Sequence, residues 1–346
     1  MRILITGGAG FIGSTVVRTA LAAGHEVIVV DALTYAGSLY NLNEVSGAPN
    51  YAFIHADIND RPTMDRILFG HRPDAVIHLA AESHVDRSIS DPSGFLQTNI
   101  MGTGKLLEAV YEHWCDRDRP NDFRFLHVST DEVFGALGPQ GAFNEDTRYA
   151  PNSPYAASKA AADHLVRAWG QTYGLPVQIT HSTNNYGPRQ FPEKLIPVII
   201  LKALSGRPIP IYGNGENVRD WLHVQDHADA LLTVLQHGEV GRSYNIGSAN
   251  EVRNIDIAEK VCLILDAQAP RRRSYLEQIT HVRDRPGHDF RYALDCSRIS
   301  RELGWAPSIE FTAGLESTVK WYLENSDVAR ALSNRKPKWY MDREAV

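Results

Sequence analysis

Cysteine is nearly missing. Three occur in 346 residues, Cys115, Cys262 and Cys296, too far apart for a zinc-ligand spacing and too few for a disulfide framework. An odd, sparse count suits a reducing compartment. Long hydrophobic runs are missing too: none approaches the ~20 residues of a membrane-spanning helix. Met1-Arg2 leads straight into the apolar run Ile3-Leu4-Ile5, so no signal peptide is expected and the cytoplasm is the expected compartment. Neither sign of charge dominates. The formal net charge is -6, which gives no bulk basicity for nucleic acid and leaves any important cation to act locally. There is no internal repeat and no low-complexity stretch. His78, His84 and His127 show no metal-ligand spacing; satisfied polar histidines are the plainer expectation, and no metal is expected.

What is present is an ordinary globular composition, 43% hydrophobic and 22% charged, long enough for two domains or for one large α/β domain with an insertion. Thr6-Gly7-Gly8-Ala9-Gly10-Phe11-Ile12-Gly13 follows the first apolar run and precedes Val16, Val17, Ala20 and Leu21, spaced as one helical face. The glycines therefore sit at a strand-to-helix turn, the context a dinucleotide fingerprint requires. Gly7 permits the tight turn, Gly10 a close approach of backbone to pyrophosphate, and Gly13 close helix–strand packing, with the helix N-terminus open to phosphates. The spacing is Gly-x-x-Gly-x-x-Gly, and alone it equally describes a plain βα turn. The next strand-like run, Glu26 to Val30, ends in Asp31. A carboxylate there suits a ribose 2′-hydroxyl and repels a 2′-phosphate, so the expected cofactor is NAD rather than NADP.

Strand and helix signals then alternate. Tyr51 to Ile54, Asp74 to Leu79, Phe123 to Val128 and Val177 to Thr180 read as strands. Pro62 to Phe69, Asp91-Pro92 to about Trp114, and a stretch capped by Ser153-Pro154 read as helices. Asp57 lies just past one strand, where an adenine or ribose edge could meet it. Repeated βα units predict the α/β class, with a Rossmann-type, doubly wound parallel sheet. After Tyr186 the rhythm breaks into a Pro-rich loop, short strand and turn material near 208–215, a helix over Val224 to Gln236 and a strand over Ser243 to Ile246. This predicts a first domain over 1–186 and a smaller, mixed α/β domain over 187–346, with the chain returning to the first near 230–254.

Four clusters carry chemistry. Tyr155 and Lys159, four residues apart, share one helical face. An ammonium beside a phenol is expected to lower its pKa from ~10, so that the tyrosine can take a hydroxyl proton. Without the glycine turn upstream, the same spacing would be a common surface pair. Ser129-Thr130-Asp131-Glu132 follows a strand directly, where parallel sheets bind ligands. Two adjacent carboxylates repel, and burial raises their pKa values, so one can stay protonated while the other acts as a base; a turn cap beside a solvated glutamate is the alternative. Asn184-Asn185-Tyr186-Gly187-Pro188, with Glu193-Lys194-Leu195, offers amides for a nicotinamide or a sugar hydroxyl, or else a capped turn. Lys194, Arg219, Arg285 and His288 suit phosphate oxygens, although each alone is an ordinary surface charge.

At these residues the chain resembles the extended short-chain dehydrogenase/reductases, and among them the dTDP-glucose 4,6-dehydratase branch. The matching stretches are Thr6 to Gly13, Asp31 to Gly37, Leu79 to Ser88, Ser129 to Val133, Ser153 to Lys159, Asn184 to Pro188, Phe191 to Pro197 and Asp284 to Asp295, spread over nearly the whole chain. Asp131-Glu132 is the most specific, because sugar epimerases resemble Ser-Ser-Ala or Ser-Ser-Ser there. The resemblance implies that Gly7, Gly10, Phe11, Ile12, Gly13, Asp31, Ala32, Leu33, Thr34, Asp57, Ile58, Leu79, Ala80, Ala81, Glu82, Ser83, Thr98, Tyr155, Lys159 and Asn185 hold NAD. It implies that Ser83, Thr130, Asn184, Lys194, Leu195, Pro210, Ile211, Tyr212, Arg219, Asn254, Asp284, Arg285, Pro286, Gly287 and His288 hold a nucleotide sugar, dTDP-glucose, mainly in the smaller domain. It assigns catalysis to Thr130, Asp131, Glu132, Tyr155 and Lys159. It also implies a homodimer: relatives pair through helices like those near 92–114 and 153–173, which carry more apolar surface than one sheet face needs. Three departures stand out. Phe134 replaces a usual Tyr, Arg189 stands where an aromatic is common, and His181-Ser182-Thr183 replaces a more usual Arg-Cys-Ser.

Overall fold

The computed structural model describes residues 1–284 and 287–333. Its strands, numbered in chain order, are β1 (Arg2–Thr6), β2 (Glu26–Asp31), β3 (Tyr51–His55), β4 (Ala75–His78), β5 (Arg124–Thr130), β6 (Val177–Ser182), β7 (Asn184–Tyr186), β8 (Ile209–Tyr212), β9 (Val218–His223), β10 (Ser243–Ile246), β11 (Glu251–Arg253) and β12 (Ile279–Val282). Seven form one parallel sheet in the order β10-β6-β5-β4-β1-β2-β3. The apolar runs explain it: strands buried on both faces need no polar side. Ile3 and Ile5 face one core, with Val16, Val17, Leu231 and Leu235 of the Phe11–Ala22 and Val224–His237 helices. Leu4 faces the other, with Leu68, Leu107, Val110 and Val166 of the helices Arg61–His71, Thr103–Asp116 and Pro154–Tyr173.

From β1 the chain winds outward through β2 and β3, then crosses to β4 and winds the other way. The crevice between the carboxyl ends of β1 and β4 is the switch point where such sheets take ligands. Register keeps its rim level, with Thr6 beside both Val30 and His78.

The helix expected from Pro92 is more complex than its sequence. It runs as a short α segment, Ser93–Phe95, a π segment, Leu96–Gly102, and the α-helix Thr103–Asp116. Wide π turns often mark functional segments. Here the turn delivers Asn99, whose Oδ1 accepts from Glu82 N (2.9 Å) and whose Nδ2 donates to Glu82 O (3.0 Å) and Ser158 Oγ (2.9 Å). One buried amide thus ties the loop after β4 to the Pro154–Tyr173 helix.

A second core gathers Ile196, Ile199, Ile200, Ile257, Val261, Leu265, Leu315 and Tyr322. It underlies a β11-β9-β7 sheet and the parallel pair β12-β8. Between these pieces β10 joins the large sheet beside β6, while β11 pairs antiparallel with β9.

Candidate active site

The glycine turn has no room for side chains. A Cβ on Gly7, whose φ is +70°, would lie 2.7 Å from Ala80 N; one on Gly13 would lie 2.1 Å from Gly7 O. The first turn of the Phe11–Ala22 helix therefore opens against bare backbone. Asp31 closes the arrangement from the end of β2: its Oδ2 accepts from Ala9 N (2.9 Å) and its Oδ1 from Leu33 N (2.8 Å). Burial raises its pKa, and those two backbone donors oppose the rise. A turn stripped of side chains, a free helix N-terminus and a carboxylate at the strand end fit a dinucleotide with an unmodified 2′-hydroxyl, which is NAD.

A cavity of about 380 Å³ runs from this turn to the carboxyl end of β5. Of the residues expected to hold NAD, all but Leu33 line it. Leu33 instead takes a left-handed backbone (φ 49°) and packs against the core. Thr130, Asp131, Glu132, Asn184, Lys194 and Leu195 line the same cavity. Lys194 Nζ donates to Ser83 O at 2.7 Å, joining the two sides of the mouth. Asn185 is fixed by Thr183 O and His227 Nδ1.

At the reacting end, Ser153 caps the Pro154–Tyr173 helix by accepting from Ala156 N (3.0 Å), with Pro154 in its first turn. That cap places Tyr155 and Lys159 on the cavity wall. The phenol is not lowered as expected. Burial and the Glu132 charge push its pKa up, against a hydrogen bond with Thr130. The reason is where the ammonium points: Lys159 Nζ donates to Val128 O at 2.8 Å and lies 3.4 Å from His127 Nε2. Burial lowers Lys159 to about 8, with Asp163 opposing.

Asp131 opens the 3₁₀ turn Asp131–Phe134 after β5 and is 2% exposed. Burial and the Glu132 charge push its carboxyl well above the usual range, with Arg219 opposing. Its Oδ1 accepts from Thr130 Oγ1 (3.3 Å), while its Oδ2 has no hydrogen-bond partner among the described residues. The shift favours its acid form, adjacent to the Glu132 carboxylate and facing the same space as Tyr155.

The remaining expected ligands among the described residues lie outside the cavity. Ile211 is buried in the second core, so only its backbone can reach a ligand. The Tyr212 hydroxyl donates to Asp86 Oδ2 (3.2 Å), and its ring stands edge-on to His288. His288 Nδ1 lies 2.7 Å from Asp284 Oδ1. Arg219 is buried; its guanidinium donates to Val218 O and Asp289 O and stacks over Tyr292. Asn254 starts a helix, its N–H bonded to Asn217 O. Gly287 has a positive φ of 64°. Arg285 and Pro286 lie outside the described residues. The sequence gives no role to Asp163, Tyr149, Gln190 or Trp221, yet the last two line the cavity, Asp163 backs Lys159 and Tyr149 bonds Asp163. The four-residue step from Lys159 to Asp163 is the one local signal that finds any of them.

Comparison with known proteins agrees with this geometry. The family described as GDP-mannose 4,6 dehydratase matches residues 4–318. The dTDP-glucose 4,6-dehydratase 1 of Escherichia coli (strain K12) is 55% identical over 338 residues, covering 94% of each chain. A probable dTDP-glucose 4,6-dehydratase of Sinorhizobium fredii is 53% identical, covering 94% of this chain and 93% of its own. The crystal structure of dTDP-glucose 4,6-dehydratase from Streptomyces venezuelae, solved with NAD and dTDP bound, is 45% identical with a TM-score of 0.88, over 96% of this chain and all of that one. A UDP-glucose 4-epimerase from Thermotoga maritima is more distant, at 30% identity and a TM-score of 0.83, over 94% of this chain and all of that one. Fold, cavity and relatives converge: the chain belongs to the GDP-mannose 4,6 dehydratase family and, within it, to the dTDP-glucose 4,6-dehydratases.

Proposed function

We propose that this protein is an NAD-dependent hydro-lyase that converts dTDP-glucose to dTDP-4-keto-6-deoxyglucose and water, for deoxysugar biosynthesis. The observation that carries the reading is Asp131: a buried carboxyl whose acid form is favoured, with one oxygen lacking a partner among the described residues, beside Glu132, on the wall that also bears Tyr155. An acid and a base side by side serve an elimination. A 4-epimerase needs neither.

Tyr155 takes the proton of the C4 hydroxyl, with Thr130 bonded to the phenol. When bound, NAD supplies the hydride acceptor for C4, the hydride donor for C6 and, oxidised, a positive charge that favours the phenolate. The C4 ketone acidifies the C5 proton, which Glu132 removes. Asp131 gives its proton to the C6 hydroxyl, which leaves as water. Glu132 then returns a proton to C5. The product carries no net oxidation. Asn184, Lys194 and Leu195 would keep the sugar in place, since an escaping intermediate would strand the cofactor reduced. Tyr212, Asp284, Gly287 and His288 would flank the nucleotide, with the thymine base on Tyr212. In this reading residues 1–186 form the NAD domain and 187–346 mainly the nucleotide-sugar domain. The protein works in the cytoplasm as a homodimer, paired through the 92–114 and 153–173 helices, where Leu96, Met101 and Tyr173 are exposed.

Incubation with dTDP-glucose, followed by mass spectrometry, should show loss of one water and a 4-keto sugar. Recovery of only the C4 epimer, or of unchanged substrate from NAD-loaded protein, would reject the reading.

A further inference from the structure

Behind Tyr155 and Lys159 lies a polar cluster that the proposed reaction does not use. Asp163 follows Lys159 by four residues and Tyr155 by eight, so all three share one face of the Pro154–Tyr173 helix. It is 1% exposed. Its Oδ2 accepts from Ser129 Oγ (2.8 Å) and Tyr149 Oη (3.0 Å), and lies 3.3 Å from His181 Nε2. Its Oδ1 lies 3.1 Å from His127 Nε2, which in turn lies 3.4 Å from Lys159 Nζ. Groups from β5, β6 and the loop before the helix thus converge on one carboxylate.

A charge this deep persists only where partners replace water. Burial would raise the Asp163 pKa, but the bonds to His127 and His181 outweigh it and hold the group below the usual carboxylate range. Two of the departures noted in the sequence meet here, with the Phe134 and His181 rings 4.9 Å apart.

We propose that Asp163 is a positioning residue: the buried counter-charge that keeps Lys159 an ammonium, with the His127 ring lying against both. This rests on the reading of Lys159 as part of the catalytic wall. The titratable groups around it are Tyr155 on the same helix, His127 on β5, His78 on β4, and Asp131 and Glu132 in the turn after β5; His181 on β6 and Tyr149 lie beyond Asp163, and Arg167 acts on Tyr149. Burial lowers His78 and takes His127 to about 4, so both are neutral near pH 7 and Asp163 is the partner that opposes the lysine's loss of its proton.

Asp163→Asn removes the charge and keeps the shape. The Lys159 ammonium should then titrate lower by about one unit or more, each unit being about tenfold in charged fraction above the midpoint. This is read by 13C NMR of ε-labelled lysine in NAD-bound protein without substrate, the resonance being identified by its loss in Lys159→Arg. In turnover, the alkaline fall of kcat should move to lower pH by the same amount, with KM little changed and partial recovery in Asp163→Glu. A uniform loss of kcat at every pH, with an unshifted lysine resonance, overturns the proposal. Should Asp163→Asn be insoluble, melting temperatures of Lys159→Met and Lys159→Met/Asp163→Asn give the answer. Removing the lysine alone leaves the buried carboxylate without its counter-charge, and removing both charges should raise Tm again by about 2 °C or more; no recovery overturns the proposal. Because the NMR titration involves no turnover, its failure is distinct from failure of the substrate assignment.

Discussion

Asp131→Asn tests the core of the proposed reaction. Asparagine has the shape of aspartate, so the turn Asp131–Phe134 should keep its bonds to Thr130. What disappears is the transferable proton. A positioned general acid contributes about 10²–10⁴-fold, and loss of water from C6 should slow by that factor. Exchange of the C5 proton with solvent should survive, because Glu132 is untouched. Stability should move the opposite way. Below the unfolded pKa of ~3.9, aspartic acid is protonated in both states and the wild type bears no penalty. As pH rises from there toward the raised folded value, the unfolded chain gains by ionising and the folded one does not, so stability is lost. Asparagine escapes this loss. At ~2.1 cal/mol/K per residue, 346 residues give an unfolding entropy of about 0.7 kcal/mol/K, so 1 kcal/mol of relief is about 1.4 °C. The variant should nearly match the wild-type Tm at pH 4 and gain on it as pH rises to 8, by about 2 °C for each unit by which folding raises the carboxyl, at about 1.36 kcal/mol per unit. The assays are mass spectrometry of sugar from deuterated water, and calorimetry at saturating NAD. Wild-type elimination in Asp131→Asn would remove Asp131 as the acid; a Tm gain that does not grow with pH would mean that its carboxyl is not held protonated.

Glu132→Gln should still give a transient NADH absorbance with dTDP-glucose but fail to wash deuterium into C5; exchange at the wild-type rate passes the base to another group. Gly13→Ala puts a Cβ 2.1 Å from Gly7 O and should purify largely without NAD, so a full cofactor complement would contradict the cradle. Tyr212→Ala should raise KM for dTDP-glucose more than it lowers kcat, because stacking is similar in ground and transition states; an unchanged KM would take the base away from Tyr212. Sedimentation at micromolar concentration should show about twice 38.5 kDa, against which a fully active monomer would tell.

Local signals carried much of this site. The glycine turn, the carboxylate that ends β2 and the Tyr155–Lys159 step are each written within a few residues, and each lands on the cavity. The doubly wound sheet was legible because its strands are buried on both faces and read as unbroken apolar runs. What stayed hidden depends on distant neighbours. Nothing near Lys159 in sequence says that its ammonium turns to Val128 O, and so nothing warns that burial and Glu132 win at Tyr155. Arg219 reads as a phosphate cation, yet it is buried over Tyr292 and bonded to the carbonyls of its neighbour Val218 and of the distant Asp289. The π segment 96–102 has no local signature; its reward is tertiary, in the bonds of Asn99 to Glu82 and Ser158.

Asp31 has a consequence for anyone wishing to retool this protein for a phosphorylated cofactor. Such exchanges are usually attempted by trading the acidic residue for a small or basic one. Here that carboxylate also fastens Ala9 and Leu33, and Leu33 sits in a left-handed conformation beside it. Taking the carboxylate away would release the very loop meant to receive the new phosphate. The preference for NAD is thus built into the scaffold, and changing it means rebuilding 31–37 together with the glycine turn rather than swapping a single side chain.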